Sequence, residues 1–167
     1  MIMVFYVRHM NFFSDLGFYI SIIKDKATRD FIFDGVWKML LFFSPWRNPY
    51  RYVCIAKKNE GEQKVAMCHF SHSEGNKFEI AGGIPSKLQN SGIGIYSCIA
   101  VVNQFFQERP DAIIISCANA NNVRSFRMVT SIGFKLIKQD DRHFETFLIR
   151  EMFDNDFTNS VKLRIGL

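Results

Sequence analysis

Gln89-Asn90-Ser91-Gly92-Ile93-Gly94 runs directly into Ile95, Cys98, Ile99, Val102, Phe105 and Phe106, apolar residues recurring at i, i+3, i+4, i+7, i+10 and i+11. The spacing predicts an amphipathic helix stopped by Pro110, and the glycine-rich stretch before it predicts the turn that opens the helix. A helix N-terminus leaves backbone N–H groups unpaired and carries partial positive charge, so a glycine turn there can wrap a phosphate at close range. The expected ligand is therefore phosphorylated.

Working outward, Phe78-Glu79-Ile80-Ala81-Gly82-Gly83-Ile84 reads as a strand whose paired glycines admit a bulge or the close approach of another group. Residues 112–117 form a short apolar run between Pro-Asp and Asn-rich turns, which predicts a buried strand. The unit is strand, turn, helix, strand. A dinucleotide-binding turn would place a third glycine where Ser97 stands and an acidic residue near the end of the following strand, and neither is present. A nucleoside-triphosphate loop needs Lys-Ser/Thr after its last glycine, whereas Gly94 precedes Ile95 and Tyr96.

Gln89, Gly92 and Gly94 match Gln/Arg-x-x-Gly-x-Gly/Ala, and Asn122, Ser125 and Gly133-Phe134 stand at the intervals of a second block. In these two blocks, in this order across residues 78–138, the chain resembles the GNAT superfamily of acyl-CoA-dependent N-acyltransferases. The resemblance implies a mixed α/β fold with a mostly antiparallel central sheet flanked by helices. It implies acetyl-CoA as acyl donor, held by Ile84, Gln89, Asn90, Ser91, Gly92, Ile93, Gly94, Asn122 and Ser125. The acceptor it implies is a primary amine of a small molecule, an amino sugar among the candidates. The amine attacks the thioester directly, with backbone N–H groups at Gly83 and Ile84 against the carbonyl oxygen. In many members a tyrosine protonates the leaving thiolate, and here Val129 occupies that position. A thiol has an ordinary pKa near ~8.5, so its anion leaves tolerably without an acid, and general acid catalysis contributes ~10²–10⁴-fold rather than the whole acceleration. Glu79 is the candidate base, as the acid within the central strand. Two other readings stay open: a non-catalytic acyl-CoA-binding module, which Val129 favours, and a protein or peptide N-acetyltransferase, which the basic composition favours.

The 167 residues read as a single domain, long enough to bury roughly two-thirds of the unfolded surface. Within it, residues 1–77 supply an N-terminal strand, two helices (11–24 and 28–43) and a hairpin on the acceptor side, residues 78–138 the acyl-CoA-binding core, and residues 139–167 a C-terminal strand and tail. The hairpins are expected at 51–57 with 63–71, and at 134–139 with 144–150. Phe31, Phe33, Trp37, Phe42, Phe43, Trp46 and Tyr50 crowd one segment, mostly as core, with Trp46 and Tyr50 expected to be exposed. The tail alternates Val161, Leu163, Ile165 and Leu167, which predicts an edge-covering strand and a homodimer.

Net charge is +5, with Lys87, Arg124 and Arg127 falling inside the two blocks, where they suit an anionic ligand. The basic residues are otherwise scattered without aromatic interleaving, so no nucleic acid is expected as partner. Cys54, Cys68, Cys98 and Cys117 lack C-x-x-C spacing and read as buried thiols. His69 and His72 point to opposite faces of a strand, so no metal is expected. The apolar N-terminus is interrupted by Arg8, His9, Asn11 and Asp15, which predicts core rather than a membrane span, in a cytoplasmic protein.

Overall fold

A computed structural model describes residues 3–25, 50–58 and 61–167. The second expected helix and the aromatics at 31–46 lie outside the described residues. Strand β1 (Val4–His9) leads into helix α1 (Phe12–Lys24), and β2 (Arg51–Lys58), β3 (Gly61–His72) and β4 (Lys77–Gly83) follow as an antiparallel meander. A short 3-10 turn at Ser86–Leu88 precedes α2 (Ile93–Glu108). Then come β5 (Ile113–Asn119), α3 (Val123–Ser131), the hairpin β6 (Lys135–Gln139) and β7 (His143–Leu148), and helices α4 (Arg150–Phe153) and α5 (Asp156–Ile165). The strands form a seven-stranded sheet in the order β1-β2-β3-β4-β5-β7-β6.

One junction in this sheet is parallel, between β4 and β5, and it is short. Lys77, Phe78 and Glu79 pair with Ile113, Ile114 and Ile115. Beyond that point β4 continues on β3, Gly83 opposite Met67, while β5 continues on β7, Asn119 opposite His143. The sheet therefore parts along the C-terminal halves of β4 and β5, leaving a wedge between them.

Side-chain alternation builds two cores on the two faces of the sheet. Tyr52, Cys54, Cys68, Phe70, Phe78 and Ile114 face α2, α3 and α5, with Ile99, Val102, Phe105 and Phe106 as the buried stripe of α2. Phe70 stacks on Phe105 at 3.8 Å between ring centroids. On the other face Tyr19, Ile22 and Ile23 of α1 cover Val53, Ile55 and Met67.

Helix α1 is anchored at its start by a buried acid. Asn11 caps it, its side-chain oxygen accepting from the Ser14 N–H at 3.2 Å. Asp15 is 0% exposed and accepts from both Arg8 Nη atoms at 2.7 Å, from the Asn11 N–H at 2.8 Å and from Lys64 Nζ at 2.6 Å. Burial pushes this carboxyl up, but the bonds from Arg8, Lys64 and the Asn11 amide outweigh it and hold the group at about 2. A depressed carboxyl stabilises the fold above its ordinary pKa and loses that contribution as pH falls through the folded value. Wild type should therefore lose about 2 kcal/mol more than Asp15→Asn between about pH 4 and pH 2. Parallel acid-dependence of the two proteins in chemical denaturation would refute this.

Three expectations are corrected. The tail is helical: Asn155 caps α5 through Thr158 N at 3.0 Å, and Gly166, at φ +79°, ends it. Val161 and Ile165 are buried one turn apart, whereas Leu163 is 81% exposed, so the tail offers no edge-covering strand and the homodimer loses the ground on which it was expected. Cys117 is exposed because β5 turns Ile114 and Ser116 toward the helices and Cys117 away from them. Tyr50 is half-buried, edge-on to Phe78 and Phe105 at 5.6 and 5.3 Å, with its hydroxyl accepting from Arg109 at 3.2 Å.

Candidate active site

The glycine stretch forms the expected turn. Asn90 and Gly92 take positive φ values of +63° and +81°, a conformation glycine adopts without cost and asparagine at small cost. Gly92 is the N-cap of α2 and offers no side-chain cap. Ser91 closes the turn, its hydroxyl donating to Leu88 O at 2.5 Å and accepting from Ile93 N at 3.4 Å. Tyr96 N reaches Gly92 O, which leaves the Gly94 and Ile95 N–H groups as the open donors of the first helical turn. That turn contains no acidic residue to neutralise the positive end of the helix.

The turn sits at the mouth of the wedge. A Cβ built on Gly94 would stand 3.3 Å from Ile84 Cδ1 and 3.9 Å from Met128 Sδ, so the start of α2 is set between the end of β4 and α3. Arg124 of α3 donates to Gln89 Oε1 at 2.6 Å, joining the two sequence blocks across the same opening. Asp25, just past α1, accepts from Ser86 N at 2.6 Å and ties α1 to the loop between β4 and the turn. Arg124 was legible as a basic residue within a block; Asp25 was not, because nothing in its local spacing distinguishes it.

The other predicted residues divide. Gly83 ends β4 and Ile84 follows it, both half-buried beside the wedge. Glu79 is exposed and occupies the last paired position of the parallel junction, between Ser71 and Ile115. It lies on the α1 face of the sheet, set back along β4 from Gly83. Val129 is 3% exposed within the core on the buried side of α3, with no group able to give a proton. Ser125 is half-buried in the first turn of α3. Tyr96 packs edge-on against Phe5 at 5.7 Å.

Asn122 is the N-cap of α3, its Oδ1 accepting from Ser125 N at 3.1 Å. Asn122→Ala should therefore lower the unfolding free energy by about 1 kcal/mol, the usual worth of such a cap. Denaturant titration measures this; an unchanged midpoint together with weakened ligand binding would return Asn122 to the ligand.

The cysteines are poor nucleophiles where they are buried. Burial pushes the Cys54 and Cys98 thiols up to about 12 and the Cys68 thiol well above its ordinary value. His69 is driven down to about 4 by burial, and the positive charge of Arg51 adds to this. Among the described residues no group of three His, Cys, Asp or Glu could hold a metal ion, and no helix is long and apolar enough to cross a membrane.

Comparison of the sequence with family models and with curated proteins finds no match. Solved structures do match. The GNAT-family acetyltransferase from Bacillus anthracis superposes with a TM-score of 0.70 at 16% identity, over 89% of this chain and 96% of its own. The ribosomal-protein-S18-alanine N-acetyltransferase from Escherichia coli gives 0.64 at 13% identity, over 87% and 93%. AAC(6')-Ib in complex with ribostamycin and coenzyme A gives 0.68 at 15% identity, over 92% and 97%. The fold is thus the GNAT acetyltransferase fold, a mixed and mostly antiparallel sheet with flanking helices.

Proposed function

We propose that the protein is an acyl-CoA-dependent N-acyltransferase that carries acetyl from acetyl-CoA to a primary amine of a small molecule, an amino sugar among the candidates. The observation carrying this reading is the glycine turn with its open N–H groups, standing at the mouth of the wedge between β4 and β5. The residues present suit the donor. The open backbone N–H groups of Gly94 and Ile95 face the pyrophosphate, Gln89 and Ser91 keep the turn in shape, and the wedge admits the extended arm that ends in the thioester. Gly83 and Ile84 bring backbone donors to the thioester carbonyl, where they favour the charge that develops on its oxygen. Glu79, set back along β4, takes the proton of the acceptor ammonium through solvent.

Val129 supports a second reading, a module that binds acyl-CoA without turning it over. Thiol release from acetyl-CoA, followed with amino sugars, small polyamines and peptides with free N-termini, separates the readings and the acceptor classes. An active wild type should lose activity in Val129→Tyr, because a ring forced into a 3%-exposed site overpacks the core at a cost of ~1–3 kcal/mol. No thiol from any amine with wild type, but turnover in Val129→Tyr, would establish the binding module instead. Absence of any calorimetric signal with coenzyme A would remove both.

A further inference from the structure

We infer that Glu145 of β7 narrows the acceptor class: its carboxylate receives the second ammonium group of a diamine whose first amino group enters the wedge. The inference rests on the acyltransferase reading and takes its acceptor from any small primary amine to one carrying two amino groups. Its starting point is the face of the sheet from which an acceptor can arrive. Helices α2, α3 and α5 cover one face and the glycine turn belongs to that side, so an acceptor reaches the wedge from the opposite, α1 face. Side-chain alternation on β7 sends Phe144, Thr146 and Leu148 into the α2 core, and Glu145 and Phe147 to the α1 face. Strand pairing sets Glu145 opposite Cys117, which stands on the β5 bank of the wedge just past Ile115, the last residue of β5 to pair with β4. Glu79 occupies the β4 bank.

Glu145 is half-buried, and among the described residues it takes part in no ion pair. Lys138, its pairing neighbour on β6, turns instead to Asp140 at 3.7 Å. A half-buried carboxylate has lost part of its hydration, and with no partner in the fold it has no bond to offset that loss, so a cation docking there is favoured. The floor between this carboxylate and the wedge is apolar. Ile115 and Phe147 pair across β5 and β7, both half-buried on the same face. A hydrocarbon spacer suits that floor, with an ammonium at its far end. Neighbouring strands lie about 4.8 Å apart, which brings Glu145 within reach of an amino group roughly 6–10 Å from the one in the wedge, the span of a diamine with about four to six carbons. The two carboxylates then have separate tasks: Glu79 takes the proton of the reacting nitrogen, whereas Glu145 holds the nitrogen that stays protonated.

Steady-state thiol release from acetyl-CoA tests this, with 1,4-diaminobutane and its one-amine counterpart 1-aminobutane as acceptors for wild type, Glu145→Gln and Glu145→Asp. Wild type should use the diamine with a kcat/KM at least about tenfold above that of 1-aminobutane. Glu145→Gln should raise KM for the diamine about tenfold with kcat within about twofold, and should leave 1-aminobutane unaffected at an unchanged melting temperature. Glu145→Asp, which keeps the charge, should recover part of the loss. An equal effect of Glu145→Gln on both amines, or no preference of wild type for the diamine, would overturn the inference while leaving the acyltransferase reading in place. If wild type releases thiol with neither amine nor any other, the acyltransferase reading fails, and calorimetry with 1,4-diaminobutane on the protein saturated with coenzyme A decides the inference separately. Binding that weakens about tenfold in Glu145→Gln upholds the role of Glu145; equal or absent binding overturns it.

Discussion

Gly94→Asp is expected to abolish coenzyme A binding while leaving the fold intact. The new Cβ meets the mobile end of Ile84 at 3.3 Å and Met128 Sδ at 3.9 Å, contacts that a small side-chain adjustment relieves. An acid in the first turn of α2 also complements the positive helix end, which contributes about 0.3–1 kcal/mol to stability. In the proposed mode of binding the same carboxylate would face the phosphates. Two unit charges ~4 Å apart near a protein surface repel by ~4 kcal/mol, so affinity should fall by more than ~100-fold, each factor of ten being about 1.4 kcal/mol. Titration calorimetry and a melting curve on the same variant decide the matter. Binding within tenfold of wild type would mean that the phosphates bind elsewhere.

Gly133→Ala should be the most damaging small substitution in the C-terminal third, and it should act on stability alone. Gly133 follows α3 at φ +107°, a backbone region that side-chain-bearing residues rarely adopt. A methyl group there would fall 2.5 Å from the backbone oxygen of Met152 and 3.0 Å from Asn155 Nδ2. Neither neighbour can yield freely, because Asn155 Nδ2 donates to that same Met152 oxygen at 2.8 Å while its Oδ1 caps α5. Backbone strain, clash and a disturbed cap together should cost about 3–5 kcal/mol, which for a chain of this size lowers the melting temperature by roughly 6–20 °C. A melting temperature within about 2 °C of wild type would show that the α3–β6 turn relaxes without strain.

The features legible in the sequence were those written in short-range spacing. The helix at Ile95–Phe106, the turn before it and both hairpins follow from periods and turn residues that span a few positions, and the folded chain keeps them. The tail was misread because Val161, Leu163, Ile165 and Leu167 satisfy two patterns at once. Alternation pairs all four, whereas helical spacing pairs Val161 with Ile165, and the caps at Asn155 and Gly166 decide for the helix. Contacts between distant segments left no such trace. Asp15 seemed merely to interrupt an apolar run, and only the fold brings Lys64 onto its carboxylate and Asp25 onto Ser86 N. Tyr50 was misplaced for the same reason, since its ring partners Phe78 and Phe105 come from β4 and α2. At the site, the turn could be read directly, while Glu79 and Val129 gained their positions only once the strand pairing and the buried side of α3 were known.

The three residue pairs that join β4 to β5 leave the sheet mechanically divided. Within the sheet, a shift of register among β1 to β4 meets only Lys77 to Glu79 on its way to β5 and β7, and the remaining coupling runs through the core shared under α2. The strand pairing itself can therefore be remodelled by halves, provided the side chains of the shared core are kept. The strands and helix on the N-terminal side can drift toward new partners while the β5–β7 platform stays as it is. The bridge from Arg124 to Gln89 crosses that divide, so it is one of the places where the two halves must change together.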